Sequence, residues 1–103
     1  MSRTPIHPGE ILGDELAELE MSAEALARDL RVPANRISQI VAGKRGITAD
    51  TALRLGHWFG TSPDFWLNLQ KSYELRLAMR KSGETIAELP TRPRHSAETP
   101  AAE

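Results

Sequence analysis

No stretch of this 103-residue chain alternates apolar and polar residues at period two. Its apolar side chains instead recur every three or four positions, in pieces of helix length separated by short punctuation. A sheet needs the first pattern and a helix the second, so the chain is expected to be all-α. The first piece, from about Pro8 to Leu19, carries Ile11, Leu12, Leu16 and Leu19 at helical spacing. Pro8 suits a first helical turn, and Glu10 lies near the positive end of the helix dipole. Ser22 is a good N-cap for a second helix with Ala25, Leu26 and Leu30 on one face. Only "RVP" separates it from a third, which opens at Pro33, turns Ile37, Ile40 and Val41 inward, runs to about Ala42 and stops at Gly43.

Thr48 announces a fourth helix as its cap, with Asp50 just inside and Ala52, Leu53, Leu55, Trp58 and Phe59 as the apolar positions before Gly60. Ser62, Pro63 and Asp64 form the clearest start in the chain. The fifth helix they open is expected to pass through Phe65, Trp66, Leu69, Tyr73, Leu75, Leu77 and Ala78 to about Lys81. At roughly 1.5 Å per residue, some 18 residues reach about 27 Å, longer than a core of four short helices covers. Residues 1–82 are therefore expected to form one domain. After Gly83 there are three prolines and little apolar beyond Ile86 and Leu89, which predicts a disordered tail over 83–103. A short partner-binding segment around Ile86 to Leu89 ranks below plain disorder.

Net charge is -1, which by itself would argue against nucleic acid, but its placement matters more than its sum. Six acids and no base lie between Glu10 and Glu24: Glu10, Asp14, Glu15, Glu18, Glu20 and Glu24. Between Arg28 and Arg45 there are five bases (Arg28, Arg31, Arg36, Lys44, Arg45) against one acid, Asp29. An acidic segment thus adjoins a basic one. The acidic segment reads as a solvated face first and as a docking face for a basic protein second.

Cysteine is absent, which excludes disulfides, thiolate metal sites and a cysteine nucleophile. His7, His57 and His95 are scattered without metal-ligand spacing, so neither a metal nor another cofactor is expected. His7 reads as a capping or packing residue, His57 as a cation near a helix end, and Asp50 as a cap rather than a catalytic acid. With no nucleophile-base pair, phosphate loop or convergent carboxylates, no catalytic residues are assigned and the chain is not expected to be an enzyme. The polar start and the absence of an apolar run near 18 residues make a cytoplasmic location the default expectation.

Two short helices joined by about three residues, with Leu26, Ala27 and Leu30 in the first, Val32 in the turn and Ile37 and Ile40 in the second, make a helix-turn-helix arrangement. Committing Ile37, Ile40 and Val41 to the core leaves Ala34, Asn35, Arg36, Ser38 and Gln39 facing out. Asn, Gln and Arg are the side chains that make bidentate hydrogen bonds to adenine and guanine edges in the major groove. Groups suited to phosphate surround them: Arg28, Lys44, Arg45 and the free N–H groups of the helix that Ser22 begins. Spacing alone still leaves open a face that is merely solvated.

The segments "HPGEIL" and "ALARDLRVPANRISQIVAGKRGITADTALRLGHWFGTSPDFWLNLQKSYELRLA" resemble the HigA family of antitoxins, virulence-associated protein I-like members of the XRE class of helix-turn-helix regulators. The match runs from residue 7 to about 79 without a gap, and "ITADTALRL" followed by "FWLNLQ" is its most specific part. The resemblance implies a compact five-helix phage-repressor-like domain. Such a protein dimerises, binds a palindromic operator in double-stranded DNA to repress its own promoter, and neutralises a small basic ribosome-dependent mRNA endonuclease of the HigB type. By the same analogy the base-contacting positions are Ala34, Asn35 and Gln39, flanked by Arg36 and Ser38, and Ala34 departs from the polar residue often found there. It offers only an apolar contact, for instance to a thymine methyl. Reading two half-sites about 34 Å apart requires a homodimer, for which Trp66, Leu69, Tyr73 and Leu77 are interface candidates, some of them belonging to the protomer's own core. A stand-alone repressor with no toxin is the alternative reading.

Overall fold

The structure, a computed structural model, describes residues 4–93. Five helices follow one another: α1 (Pro8–Glu18), α2 (Ala23–Leu30), α3 (Ala34–Val41), α4 (Ala49–Phe59) and α5 (Pro63–Ala87). There is no strand among the described residues, as the missing period-two pattern leads one to expect. α2 packs on α3 and α4 on α5, while α1 crosses both α3 and α5. Each helix gives a few side chains to one core: Leu12 and Leu16, Leu26, Ala27 and Leu30, Ile37 and Ile40, Ala52 and Leu55, and Trp66, with Ile47 from the loop before α4.

The caps explain why the helices begin where they do. Ser22, Thr48 and Ser62 each accept a hydrogen bond from the backbone N–H three residues on. At α1 the cap is His7, whose Nδ1 accepts from the Gly9 N–H at 2.8 Å while Glu10 reaches back to the His7 N–H. The imidazole also meets Tyr73 of α5 edge-on, with ring centroids 4.8 Å apart. Capping and packing are therefore both done by one side chain, and it ties the start of α1 to α5. Pro8 and Gly9 behind it are buried, Gly9 directly against the backbone of α3.

The helix ends are as well defined. α3 closes in a Schellman pattern, Lys44 N–H to the Gln39 carbonyl and Gly43 N–H to the Ile40 carbonyl, with Gly43 at φ +78°. Only a left-handed residue makes that reversal, which is why glycine ends the helix. Pro33 caps α3 from just outside it, rather than lying in its first turn.

Three expectations need correction. α5 does not stop near Lys81 but continues to Ala87, so the segment from Gly83 to Ala87 is helical and not part of a disordered tail. A glycine in a helix interior costs only about 1 kcal/mol, and the strong stop comes later at Pro90, which disfavours helical backbone at Leu89. Leu53 is not a core residue; it is 59% exposed. Asp50 does not cap α4, because Thr48 does, and its carboxylate pairs with arginines as described below. Residues 94–103, including His95, lie outside the described residues.

Candidate nucleic-acid interface

The turn between α2 and α3 is made by Arg31, Val32 and Pro33. Arg31 adopts the left-handed conformation (φ 59°, ψ 46°), and the Val32 N–H returns to the Ala27 carbonyl at 3.0 Å. Val32 packs on the core and Pro33 starts α3 in an extended conformation. The near-zero exposure of Ala27, Ile37 and Ile40 locks the two helices at a fixed angle.

Along α3 the buried pair Ile37 and Ile40 defines the inner face, so at about 100° per residue exposed Asn35 lies opposite it, half-buried Gln39 and Ser38 lie to either side of Asn35, and Arg36 lies nearer the core. Ala34 is exposed and borders a shallow depression with Glu24, Ala27, Arg28 and Val32. Arg28, Lys44 and Arg45 are exposed, the last two presented by the Gly43 reversal. At the start of α2 the Ser22 hydroxyl takes the Ala25 N–H at 3.0 Å, and Glu24 places a negative charge in the same turn, which weakens that end as a phosphate site. All six acids from Glu10 to Glu24 are exposed, on α1, in the turn after it (Glu20) and at the beginning of α2.

Arg36, expected to flank the base contacts, is turned toward α4. Its guanidinium donates to Asp50 at the start of α4. The same Asp50 oxygen accepts from Arg54 Nε at 3.0 Å, and Arg54 donates onward to the Leu30 carbonyl of α2 at 2.8 Å. The two guanidinium hydrogen bonds hold the Asp50 carboxyl below the usual carboxylate range, Arg36 contributing most. A second tie lies beyond α3: Gln70 of α5 accepts from the Ile47 N–H at 2.8 Å and donates to Glu74. Sequence reasoning missed both ties. An acid in the first turn of α4 with a base four residues on was visible, but its link to α3 was not.

Of the dimer candidates, Trp66 is 1% exposed and belongs to the protomer's own core. Its burial rules it out as a surface residue. Leu69 and Tyr73 are half-buried against their own domain, whereas Leu77 is 43% exposed, with Leu75, Met79 and Ile86 more exposed still. No group of His, Asp and Glu among the described residues is arranged to hold a metal ion, and none of their helices is long and apolar enough to cross a membrane.

His7 is expected to make the domain sensitive to acid. Burial pushes its imidazole pKa below the usual 6.5, partly offset by the Glu10 carboxylate. A lowered folded-state pKa means that the unfolded chain binds the extra proton more readily. The stability gained from neutral His7 is then fully present above 6.5 and is lost as pH falls below it. The melting temperature is expected to fall between about pH 7 and about pH 5, and His7→Asn, which keeps a capping oxygen but does not titrate there, flattens that step. An equally steep step in the variant would place the acid sensitivity elsewhere.

A locked helix pair, a polar outward face on the second helix and exposed cations around it define a helix-turn-helix domain of the XRE type. The helix-turn-helix family model matches residues 14–66. By these residues and by its relatives, the chain belongs to the HigA family of helix-turn-helix antitoxins. Virulence-associated protein I of Dichelobacter nodosus is 54% identical over 74 residues, covering 71% of this chain and 68% of that protein. The solved addiction module antidote protein of the HigA family from Coxiella burnetii is 53% identical with a TM-score of 0.85, covering 88% of this chain and all of that one. The Pseudomonas aeruginosa antitoxin HigA, solved with the higBA promoter, is 51% identical with a TM-score of 0.80, covering 84% of this chain and 96% of its own.

Proposed function

We propose that this protein is a cytoplasmic antitoxin that binds a palindromic operator as a homodimer, represses its own promoter and neutralises a small basic mRNA endonuclease. The observation that carries the DNA reading is the outward pair Asn35 and Gln39 on α3, ringed by the exposed cations Arg28, Lys44 and Arg45. Asn35 and Gln39 read base edges, Ala34 and Ser38 lie at the margins of the contact, and the three cations hold phosphates, with a lesser share from the α2 start, which Glu24 weakens. A relative of the same family solved with promoter DNA supports this assignment. Dimerisation falls to the far half of α5, which reaches past the core with Leu75, Leu77, Met79 and Ile86 exposed. The exposed acids of α1 suit a basic toxin.

Fluorescence anisotropy at about 150 mM salt tests the reading, with DNA from directly upstream of the gene against a scrambled duplex of equal length. Preference by about a thousandfold is expected, and equal weak binding would overturn operator recognition. Co-expression with the neighbouring reading frame tests the toxin arm. A stable complex and relief of growth arrest are expected; failure of both leaves the stand-alone repressor. Replacing Arg28 or Lys44 by alanine weakens both duplexes alike and flattens the salt dependence by about one unit per lost contact. An unchanged slope removes the residue from the phosphate set.

A further inference from the structure

Arg36 is the sole charged residue of α3, the helix with the outward polar face, yet its side chain is only 28% exposed and turned to α4. There it shares one Asp50 oxygen with Arg54, and Arg54 anchors the group to the last carbonyl of α2. The chain of hydrogen bonds thus joins both members of the helix-turn-helix to the first turns of α4. Asp50 itself remains 54% exposed and, held by two guanidinium groups, keeps its charge at any physiological pH.

Arginine beside a reading face has two uses. Free, it seizes a phosphate and raises affinity for every sequence alike, because phosphate binding releases counterions without regard to base identity. Restrained, it leaves discrimination to the groups that meet base edges, and specificity is a difference of affinities. We propose that Asp50 is a positioning residue that limits affinity for DNA: its carboxylate withholds Arg36 from DNA phosphate, so that α3 binds through Asn35 and Gln39 without a further sequence-blind contact. This rests on the base-reading role of α3 proposed above. Arg54 completes the device by anchoring Asp50 to α2, which keeps the carboxylate from following Arg36 toward the DNA.

A double-mutant cycle tests it, with Asp50→Asn, Arg36→Ala and the double variant titrated on the scrambled and upstream duplexes over a range of salt. Asp50→Asn is expected to raise affinity for scrambled DNA about fivefold near 150 mM salt and to steepen the salt slope by about 0.9. Affinity for the upstream duplex is expected to rise by a similar factor, leaving the preference between the two unchanged. In the Arg36→Ala background the Asp50 change is expected to do neither, and Arg36→Ala alone alters scrambled binding by under about twofold. Persistence of the Asp50 effect without Arg36 would make Asp50 a bare charge near the phosphates and overturn the proposal. So would a loss of tenfold or more on the upstream duplex from Arg36→Ala alone, which would mean that Arg36 already touches DNA. Weaker binding of Asp50→Asn to both duplexes would show that the carboxylate orients α3 rather than restraining Arg36. Circular dichroism melts establish that each variant is folded, and Asp50→Ala supplies a second variant unable to bond Arg36. Failure of base reading shows separately, as loss of preference in the wild-type protein, while the scrambled arm of the cycle still reads the Asp50 effect.

Discussion

Gly9→Ala is expected to melt at least about 12 °C below the wild-type protein. A Cβ at Gly9 meets the Ile40 carbonyl oxygen at 1.8 Å and its carbon at 2.7 Å, inside any possible van der Waals distance. No rotamer relieves this, because the obstacle is the backbone of α3 and the added atom is fixed to the backbone of α1. The two helices have to separate. Overpacking of a core costs typically 1–3 kcal/mol, and a backbone clash lies at or above the top of that range. At about 4–8 °C per kcal/mol for a domain of this size, about 3 kcal/mol gives the stated shift. Gly13→Ala, one turn further along α1, is the control. Its Cβ meets only Val41 Cγ1 at 3.4 Å, and replacing a helical glycine by alanine favours the helix by up to about 1 kcal/mol. Opposite signs from two glycines of one helix would isolate the close approach as the cause. A wild-type melt for Gly9→Ala would mean that α1 and α3 do not touch at that point. Since α3 carries Asn35 and Gln39, the same substitution is expected to weaken binding to upstream DNA even at temperatures where the variant is folded.

Gly9 marks where the sequence stops being legible. The helix count, the caps Ser22, Thr48 and Ser62 and the inward set Leu26, Ala27, Ile37 and Ile40 follow from local rules of spacing and capping, and the structure has them as read. His7 was open to capping or packing and does both, because its ring nitrogen serves α1 while its ring packs on Tyr73, 66 positions away. Nothing local announces that Gly9 abuts Ile40, that Gln70 holds the loop at Ile47, or that Arg36 reaches Asp50. Each is a meeting between elements whose relative angle only the packed core sets. Trp66 shows the same limit from the other side: its spacing on α5 suits an interface and a core equally, and burial among the other helices decides for the core. Leu53 repeated the helical period of its neighbours, yet it borders an open depression between α4 and the end of α2 and stays 59% exposed.

The second large effect is expected at the reading face. Replacing Asn35 and Gln39 together by alanine should lower affinity for the upstream duplex by about a hundredfold or more while leaving scrambled binding within about twofold. Each bidentate pair to a base edge contributes about 1–3 kcal/mol of discrimination, and 1.4 kcal/mol is a factor of ten. Two such pairs in each half-site account for most of a thousandfold preference. Both side chains point away from the Ile37 and Ile40 core, so their truncation leaves the fold intact and the melting temperature close to the wild-type value. The salt slope is the discriminating readout. Loss of base contacts leaves it unchanged because the phosphate set Arg28, Lys44 and Arg45 is untouched, whereas loss of docking flattens it. If the double variant keeps its preference, recognition comes from DNA shape or from the flank of α3, and in the second case Arg36 has to leave Asp50 on binding. That outcome would sink the reading face, whereas loss of preference at an unchanged slope leaves Asn35 and Gln39 as the bases' direct partners.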